Sequence, residues 1–276
     1  MMQRREFITL LGGAVAAWPL AARAQQPAMP VIGFLSGGSL AGYEPGLVGF
    51  RNGLSESGYV EVRNVTIEYR WADGQFDRLP GFADDLVRRR VAVVFASGGV
   101  VSALAAKKAT STIPIVFCHG SDPVKFGLVA SFNRPGGNIT GVSFLAIALE
   151  QKRLQIAREL IPKTAPIGVL MNPSNPNADV QLNDVQAAVP SLGPIIVLRA
   201  GTDGELDRLS EALDQQHLAA LVITADSFLF SRQNKITALA ERYRVLTITT
   251  DREFAAIGAL ASYGPSMHDS YLQAGI

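Results

Sequence analysis

Cysteine and histidine are scarce in this sequence of 276 residues, which contains one cysteine and three histidines. The single cysteine, Cys118, cannot form an intramolecular disulfide and has no CxxC partner. The histidines His119, His217 and His268 are scattered, and none lies four residues from another. We therefore predict no metal site, and we interpret Cys118 as a buried structural thiol.

Nucleotide-binding and catalytic motifs are also missing. The glycine pairs Gly37-Gly38 and Gly98-Gly99 fit neither the dinucleotide fingerprint nor the Walker lysine motif, and no G-x-S-x-G elbow is present. We therefore predict no cofactor and a non-catalytic protein.

Long apolar runs and clustered basic charge are absent as well. No apolar run reaches the roughly 18 residues that a membrane-spanning helix needs. The one basic run, Arg88-Arg89-Arg90, ends a predicted helix, where cations suit the helix dipole. A nucleic-acid-binding face would need a basic cluster, so no nucleic-acid partner is predicted.

Residues 1–24 have the composition of an export signal. Arg4-Arg5 precede an apolar stretch from Phe7 to Leu20, and Ala22-Arg23-Ala24 is a small-x-small cleavage site. The paired arginines resemble the twin-arginine pattern, with general secretion as the other route. We expect cleavage after Ala24 and a periplasmic protein. A buried N-terminal helix is the competing interpretation.

From Pro30 onward, short apolar or β-branched runs alternate with amphipathic stretches, which is typical of parallel sheets covered by helices. The pattern occurs twice and predicts two Rossmann-like, doubly wound lobes joined by a hinge. The first lobe is predicted to comprise residues 30–143 plus 264–276, and the second residues 144–263. The predicted strands are 31–35, 65–69, 91–95, 113–117, 139–144, 166–171, 195–198, 220–224, 245–249 and 259–262.

The stretch from Ile113 to Gly141 carries the strongest local signal. Its apolar first residues predict a buried strand that delivers small and polar residues into a loop at a helix N-terminus, where ligands of open α/β sheets commonly bind. The turn Arg134-Pro135-Gly136-Gly137-Asn138 then leads into the next strand. We interpret this stretch as one wall of a cleft followed by a crossing into the other lobe.

Small polar or acidic residues follow many of the predicted strands. Because strand C-termini meet at one edge of a doubly wound sheet, two lobes would bring these residues face to face across a cleft. Such a cleft suits a small zwitterion, with hydroxyls and helix-start amides for a carboxylate and Asp122, Asp226 or Asp251 for an ammonium. The candidate ligand-binding residues are Ser36, Ser97, Gly98, His119, Asp122, Asn172, Ser174, Asp226, Asp251 and Tyr263.

Each candidate also has a structural explanation. Serine, aspartate and asparagine after a strand commonly cap the next helix, and Gly98 fits a strand-to-helix turn. Five aromatic residues near these loops are candidates for the cleft walls, although isolated aromatic residues more often belong to the core: Phe34, Tyr43, Phe144, Phe228 and Tyr263.

Three segments of the chain carry a family resemblance. They are GFRNGLSESGYVEVRNVTIEYRWADGQFDRLPGFADDLV, ATSTIPIVFCHGSDPVKFGLVASFNRPGGNITG and REFAAIGALASYGP. They resemble the periplasmic substrate-binding proteins of ABC transporters related to the tryptophan-uptake binding proteins. The resemblance runs from about Val31 to the end of the chain.

The resemblance implies the type I periplasmic binding protein fold, with two lobes, three crossings and a ligand enclosed by hinge closure. It implies that Ser97 and the loop from His119 to Asp122 form the first lobe's half of the site, facing Asn172 and Asp226. The members of this family with known structures bind aromatic or similar amino acids. Because members usually continue past Ile276, we expect a C-terminally truncated chain.

The function predicted from residues and resemblance together is that of a monomeric solute-binding protein that delivers an amino acid or related carboxylate to an ABC permease. A periplasmic ligand sensor for a membrane kinase is the alternative, and a periplasmic enzyme on the same α/β scaffold is a less favoured one. A repressor of the same two-lobed fold is disfavoured, because the signal peptide occupies the place of its helix-turn-helix.

Overall fold

Two parallel five-stranded sheets form the framework of the protein. The computed structural model describes residues 29–276, of which Val31–Ile276 form one compact unit. The strands of the first sheet are β1 Val31–Ser36, β2 Thr66–Trp71, β3 Val93–Ser97, β4 Ile115–His119 and β5 Ile139–Ser143. Those of the second sheet are β6 Ile167–Met171, β7 Ile195–Arg199, β8 Ala220–Ile223, β9 Leu246–Thr249 and β10 Ala261–Ser262.

Helices connect most of these strands and cover both faces of each sheet. In chain order they are α1 Leu40–Glu56, α2 Leu79–Arg88, α3 Val100–Ala109, α4 Glu150–Leu160, α5 Ala178–Leu192, α6 Asp203–Gln215, α7 Ser227–Ser231, α8 Gln233–Arg242, α9 Arg252–Ala256 and α10 Met267–Gly275. Short 3₁₀ turns at Phe76–Arg78 and Ala146–Leu149 precede α2 and α4. None of the helices in residues 29–276 is long and apolar enough to cross a membrane.

The two sheets have the same topology. The first has the order β2-β1-β3-β4-β5, and the second, read in the equivalent direction, has the order β7-β6-β8-β9-β10. In this doubly wound order the crevice for a ligand lies beyond the carboxyl ends of the strands, where the winding reverses. The predicted architecture of two doubly wound lobes is confirmed. We call the β1–β5 sheet with its helices the first lobe and the β6–β10 sheet with its helices the second lobe.

All ten predicted strands are present, but the third and the fourth are each displaced by two residues. The prediction for the third is residues 91–95, whereas β3 runs from Val93 to Ser97. For the fourth we predicted residues 113–117, whereas β4 runs from Ile115 to His119 because pairing with β5 continues through Cys118↔Val142 and His119↔Ser143. His119 therefore ends a strand instead of beginning a loop, and its backbone is held by the neighbouring strand.

The connection from β4 to β5 contains no helix, so the predicted helix N-terminus after His119 is wrong. The Asp122 carboxylate accepts hydrogen bonds from the N–H groups of Val124 and Lys125, and the Leu128 N–H donates to the carbonyl of Pro123. These bonds close a single turn. The chain then runs through irregular structure to the Pro135-Gly136-Gly137 turn and enters β5.

Helix α10, after the second sheet, packs against α1 of the first lobe. A Cβ atom at Gly49 of α1 would collide with the carbonyl oxygen of His268, so glycine permits this close approach. The crossings after β5 and after β10 thus both connect the two lobes. The exact lobe boundaries given above stay predictions.

Candidate functional site

A cavity lies between the carboxyl ends of the two sheets. Its empty space is about 620 Å³, a volume that includes the part open to solvent. The first lobe contributes the segments 98–101 and 118–121, and the second contributes residues 175–177, 225–227 and 250–251. Phe144, Ala146 and Ile147 of the first crossing also line the cavity, as do Met267 and Tyr271 of α10.

Of the ten candidate residues, four line this cavity: Gly98, His119, Asp226 and Asp251. The other six lie outside its lining. Ser36 is buried and accepts a hydrogen bond from the Gly38 N–H, and Ser97 is buried at the end of β3. Asp122 caps the turn after β4, and Asn172 lies beneath Asp226 as its hydrogen-bond donor.

Ser174 and Tyr263 complete the group outside the lining. The Ser174 N–H donates to the Asn172 side chain, and Ser174 itself is exposed. Tyr263 is 41% exposed, and its carbonyl accepts a hydrogen bond from Arg153. The structure does not bring these two residues to the cavity, and a direct ligand contact for any of the ten candidates stays a prediction.

The Asp226 carboxylate is held by donors from its own lobe. Oδ1 accepts from the Leu229 N–H at 2.9 Å and from Asn172 Nδ2 at 3.2 Å. Oδ2 accepts from Asn175 Nδ2 at 2.8 Å and from Asn172 at 3.2 Å. These four contacts fill the roughly four acceptor positions of a carboxylate. Burial raises the pKa of Asp226, and the same hydrogen bonds oppose that rise.

Asp226 therefore caps the N-terminus of α7, which is the structural role that the sequence offered as the alternative to ligand binding. Its carboxylate also holds the Asn172–Asn175 loop in place through the two asparagine side chains. The sequence offers Asp226 as one of three partners for a ligand ammonium. Because its oxygens are already satisfied by neutral donors, its geometry favours a role in shaping the cavity wall.

Asp251 differs from Asp226 in having a free carboxylate. It stands at the N-cap position of α9 but makes no side-chain capping bond, and in the described part of the chain its carboxylate accepts no hydrogen bond. Burial, with a smaller contribution from the negative charge of Glu253, raises the pKa of Asp251 to about 7, while Arg153 opposes the rise. This carboxylate is available to a ligand cation.

The start of α3 supplies hydrogen-bond donors on the first lobe's side. Gly98 and Gly99 both have positive φ angles, 64° and 100°, which glycine adopts without strain. Gly99 is the N-cap and has no side chain, so the first N–H groups of α3 lack a side-chain acceptor. Val100 and Val101 line the cavity, and a helix start of this kind suits an anionic group.

His119 is a neutral donor at the end of β4. Its Nδ1 accepts the Ser121 N–H at 3.2 Å, which assigns the ring proton to Nε2. Burial lowers the pKa of His119 to about 4, so the ring is neutral near pH 7. Nε2 is buried and has no partner among residues 29–276. Cys118 is fully buried, and burial raises the pKa of its thiol, which opposes thiolate chemistry.

Apolar and aromatic side chains make up much of the remaining wall. Of the five predicted aromatic residues, Tyr43 and Phe144 line the cavity, whereas Phe34 and Phe228 belong to the core and Tyr263 lies outside the lining. The aromatic wall also includes residues that we did not predict: Phe76, Phe230 and Tyr271. Within residues 29–276, no group of three or more histidine, cysteine, aspartate or glutamate side chains is arranged to hold a metal ion.

Comparison with known proteins identifies the family. Residues 29–276 match the family model described as ABC transporter substrate binding protein. The chain belongs to this family. The tyrosine-binding protein of Clostridioides difficile strain R20291 is 28% identical over 218 residues, which is 78% of this chain and 62% of that protein. This substrate-binding protein therefore spans less than two thirds of the length of that relative.

Solved structures share its fold. A conserved domain protein of Vibrio cholerae has a TM-score of 0.80 at 22% identity, covering 90% of this chain and 82% of that one. An ABC domain of Streptococcus pneumoniae in complex with L-Trp has a TM-score of 0.75 at 22% identity, covering 88% of this chain and 82% of that one. At this level of identity the structural likeness shows the fold alone.

The lobes of this substrate-binding protein contact each other across the cleft. Arg232 of the second lobe donates to Asp73 of the first at 2.7 Å and also binds Asp203 of its own lobe at 2.8 Å. The Ser39 N–H donates to Ser231 Oγ at 3.0 Å. At the cavity itself, Asn177 Nδ2 of the second lobe donates to Ser121 Oγ of the first at 2.9 Å. The lobes are thus in contact around the cavity.

Proposed function

We propose that this protein is the exported ligand-binding component of an ABC importer, which encloses an amino acid between its lobes as a monomer and presents it to a membrane permease. The observation that carries the proposal is the cavity between the lobes, where the free carboxylate of Asp251 and the uncapped start of α3 come from different lobes. Family membership supports a binding role over catalysis.

The cavity provides a group for each part of an amino acid. The Asp251 carboxylate can accept hydrogen bonds from the ammonium, and the N–H groups at the start of α3 with His119 Nε2 can donate to the carboxylate. The aromatic wall, which includes Tyr43, Phe144 and Phe230, provides an apolar surface for the side chain. One relative is named as a tyrosine-binding protein, and a protein of similar fold was solved in complex with L-Trp. Both support an aromatic amino acid as the ligand class.

Delivery and location complete the proposal. The export signal predicted for residues 1–24 lies outside the described residues and supports a periplasmic location on sequence alone. We assign residues 30–143 and 264–276 to the first lobe and residues 144–263 to the second, an assignment supported by the packing of α10 against α1. Closure would follow from population shift, because the ligand contacts both lobes only when they are together.

A thermal-shift screen tests the binding function. An amino acid at about 100 times its dissociation constant should stabilise the folded protein by about 2.7 kcal/mol. For a chain of this size we expect the melting temperature to rise by roughly 5–10 °C. The screen should contain the twenty amino acids and small carboxylates without an ammonium group. Failure of every compound to raise the melting temperature would contradict the proposal.

Asp73→Asn should weaken ligand binding by up to about fivefold, because an exposed ion pair contributes roughly 0.2–1 kcal/mol to the closed arrangement. Asparagine suits the positive φ of 53° at this position, so the variant removes charge without straining the backbone. Isothermal titration calorimetry measures the affinity, and small-angle X-ray scattering of the ligand-free protein should show a larger open fraction.

Asp203→Asn is the matched control for this substitution. Asp203 binds the same guanidinium as Asp73 but lies in the same lobe as Arg232. The control should leave affinity and scattering near the wild-type values. Equal losses of affinity in the two variants would show that the Asp73–Arg232 pair does not act through closure.

A further inference from the structure

The charged groups that line the cavity are of one sign. Asp226 and Asp251 are the carboxylates, and the described residues of the lining contain no lysine or arginine. The other titratable groups there are His119, Cys118, Tyr43 and Tyr271, all buried. Burial raises the pKa values of the thiol and of both phenols, so these groups are neutral near pH 7.

His119 cannot act as the missing cation. A protonated ring would need a hydrogen on Nδ1, which instead accepts the Ser121 N–H. The ring also stacks on Phe117 with centroids 4.8 Å apart, in a buried position that disfavours charge. His119 therefore offers a ligand one neutral donor, Nε2–H.

Arg153, the cation that acts on the pKa of Asp251, is already committed to other groups. Its guanidinium donates to Glu150 at 2.9 Å, to the Ala146 carbonyl at 3.1 Å and to the Tyr263 carbonyl at 3.2 Å. Its side chain is fully buried and is not part of the cavity lining. A ligand carboxylate thus meets only neutral donors.

The two ends of an amino acid are consequently treated unequally. An ammonium at Asp251 meets an ionised partner, so both members of this hydrogen-bonded pair carry charge. A carboxylate meets only the neutral donors of α3 and His119, so only one member of each of its hydrogen-bonded pairs carries charge. The positive charge of the ligand should therefore dominate the free energy of binding.

We propose that the cavity selects its ligand by the ammonium group and that the carboxylate is dispensable, so that the ligand class includes primary aromatic amines as well as amino acids. This inference rests on the proposed binding function and deepens it. It predicts that an aromatic amine binds, whereas the matching carboxylic acid without an ammonium does not.

Two matched series of probes test this inference by isothermal titration calorimetry on the full chain. The first is L-tyrosine, tyramine and 3-(4-hydroxyphenyl)propionate, and the second is L-tryptophan, tryptamine and indole-3-propionate. In the series that fits the cavity, the amine should bind about 10- to 150-fold more weakly than the amino acid, because the hydrogen bonds that it loses join neutral donors to a charged carboxylate. The propionate should bind at least about 30-fold more weakly than the amine, because the buried charge pair is lost.

Asp251→Asn should reduce the affinity for the amine by at least about 30-fold. Asp214→Asn is the control, because Asp214 is an exposed carboxylate of α6 outside the cavity lining, and it should leave all affinities unchanged. A propionate that binds as tightly as its amine, or an amine that binds equally well to wild type and Asp251→Asn, overturns the inference while leaving amino-acid binding intact. Absence of binding by all six probes overturns the inference together with the proposed aromatic ligand class.

Discussion

Arg153→Met is expected to lower the free energy of unfolding by about 3–5 kcal/mol, because it leaves a buried carboxylate without its partner. Arg153 and Glu150 are both completely buried, with Nη2 and Oε2 2.9 Å apart. The same guanidinium binds the carbonyls of Ala146 in the first crossing and Tyr263 in the second. The variant therefore removes an ionic pair and also a link between the two segments that join the lobes.

The cost of Arg153→Met should depend on pH. Burial raises the pKa of Glu150 and Arg153 opposes this, so the pKa of Glu150 should be higher still in the variant. A folded-state pKa above that of the unfolded chain means that the folded variant binds a proton more tightly. The free energy of unfolding of the variant is then highest at low pH. It decreases as the pH rises towards the folded-state pKa of Glu150, by up to about 1.4 kcal/mol per pH unit.

Urea denaturation of wild type, Arg153→Met and Glu150→Gln/Arg153→Met between pH 5 and 8 measures these effects. The double variant removes the unpaired charge, so it should regain at least about 1 kcal/mol relative to Arg153→Met at pH 8. It should not regain full stability, since the carbonyls of Ala146 and Tyr263 still lack their donor. A loss below about 1 kcal/mol in the single variant at pH 8 would contradict this account of the buried pair.

Ligand affinity is expected to fall by up to about tenfold per pH unit below pH 7, which amounts to roughly 50-fold between pH 7 and pH 5. The pKa of Asp251 is about 7 in the ligand-free protein, and an ammonium binds its ionised form. The ligand affinity is therefore close to its maximum above pH 8, and it decreases as Asp251 becomes protonated. The charged groups that act on Asp251 are Glu253 and Arg153, while His119 has a pKa of about 4 and titrates below this window.

Calorimetric titration with L-tyrosine or L-tryptophan from pH 5 to pH 8 measures this dependence. Asp251→Asn is the decisive comparison, because its affinity should be low at every pH and nearly independent of pH. If the variant keeps the wild-type slope, another group controls the pH dependence. If the wild-type affinity is constant from pH 5 to pH 8, Asp251 does not bind the ligand in its ionised form.

The strands and their order of appearance could be predicted because each is a short apolar run with polar turns on both sides. Such runs must be covered by helices on both faces, and the alternation with amphipathic stretches shows where those helices lie. The strand ends were less accurate. The extension of β4 to His119 depends on pairing with β5, and this partner lies more than twenty residues further along the chain.

The candidate site was only partly predictable. The rule that ligand-binding residues follow strands correctly indicated the edge of each sheet. Four residues selected by this rule line the cavity: Gly98, His119, Asp226 and Asp251. The same rule also included Asp122, whose carboxylate is used by a local turn. Position along the sequence cannot show which partner a carboxylate finds, because hydrogen bonds depend on side chains that meet only after folding.

Tyr271 shows why other residues of the site were missed. It follows the last strand, far in sequence from strands β1–β5, and it reaches the cavity because α10 returns to pack against α1. Its relation to the cavity is set by close packing between two helices at opposite ends of the chain. No local pattern contains that information.

The sequence by itself determined two repeated α/β lobes, the family, and the sheet edges where polar residues gather, because apolar periodicity and strand polarity are local properties. Only the tertiary structure decided that the oxygens of Asp226 are saturated, that Asp251 is free, and that no described cation lines the cavity. These features arise when separate segments meet in a buried space. Burial and hydrogen-bond partners then assign each carboxylate its role.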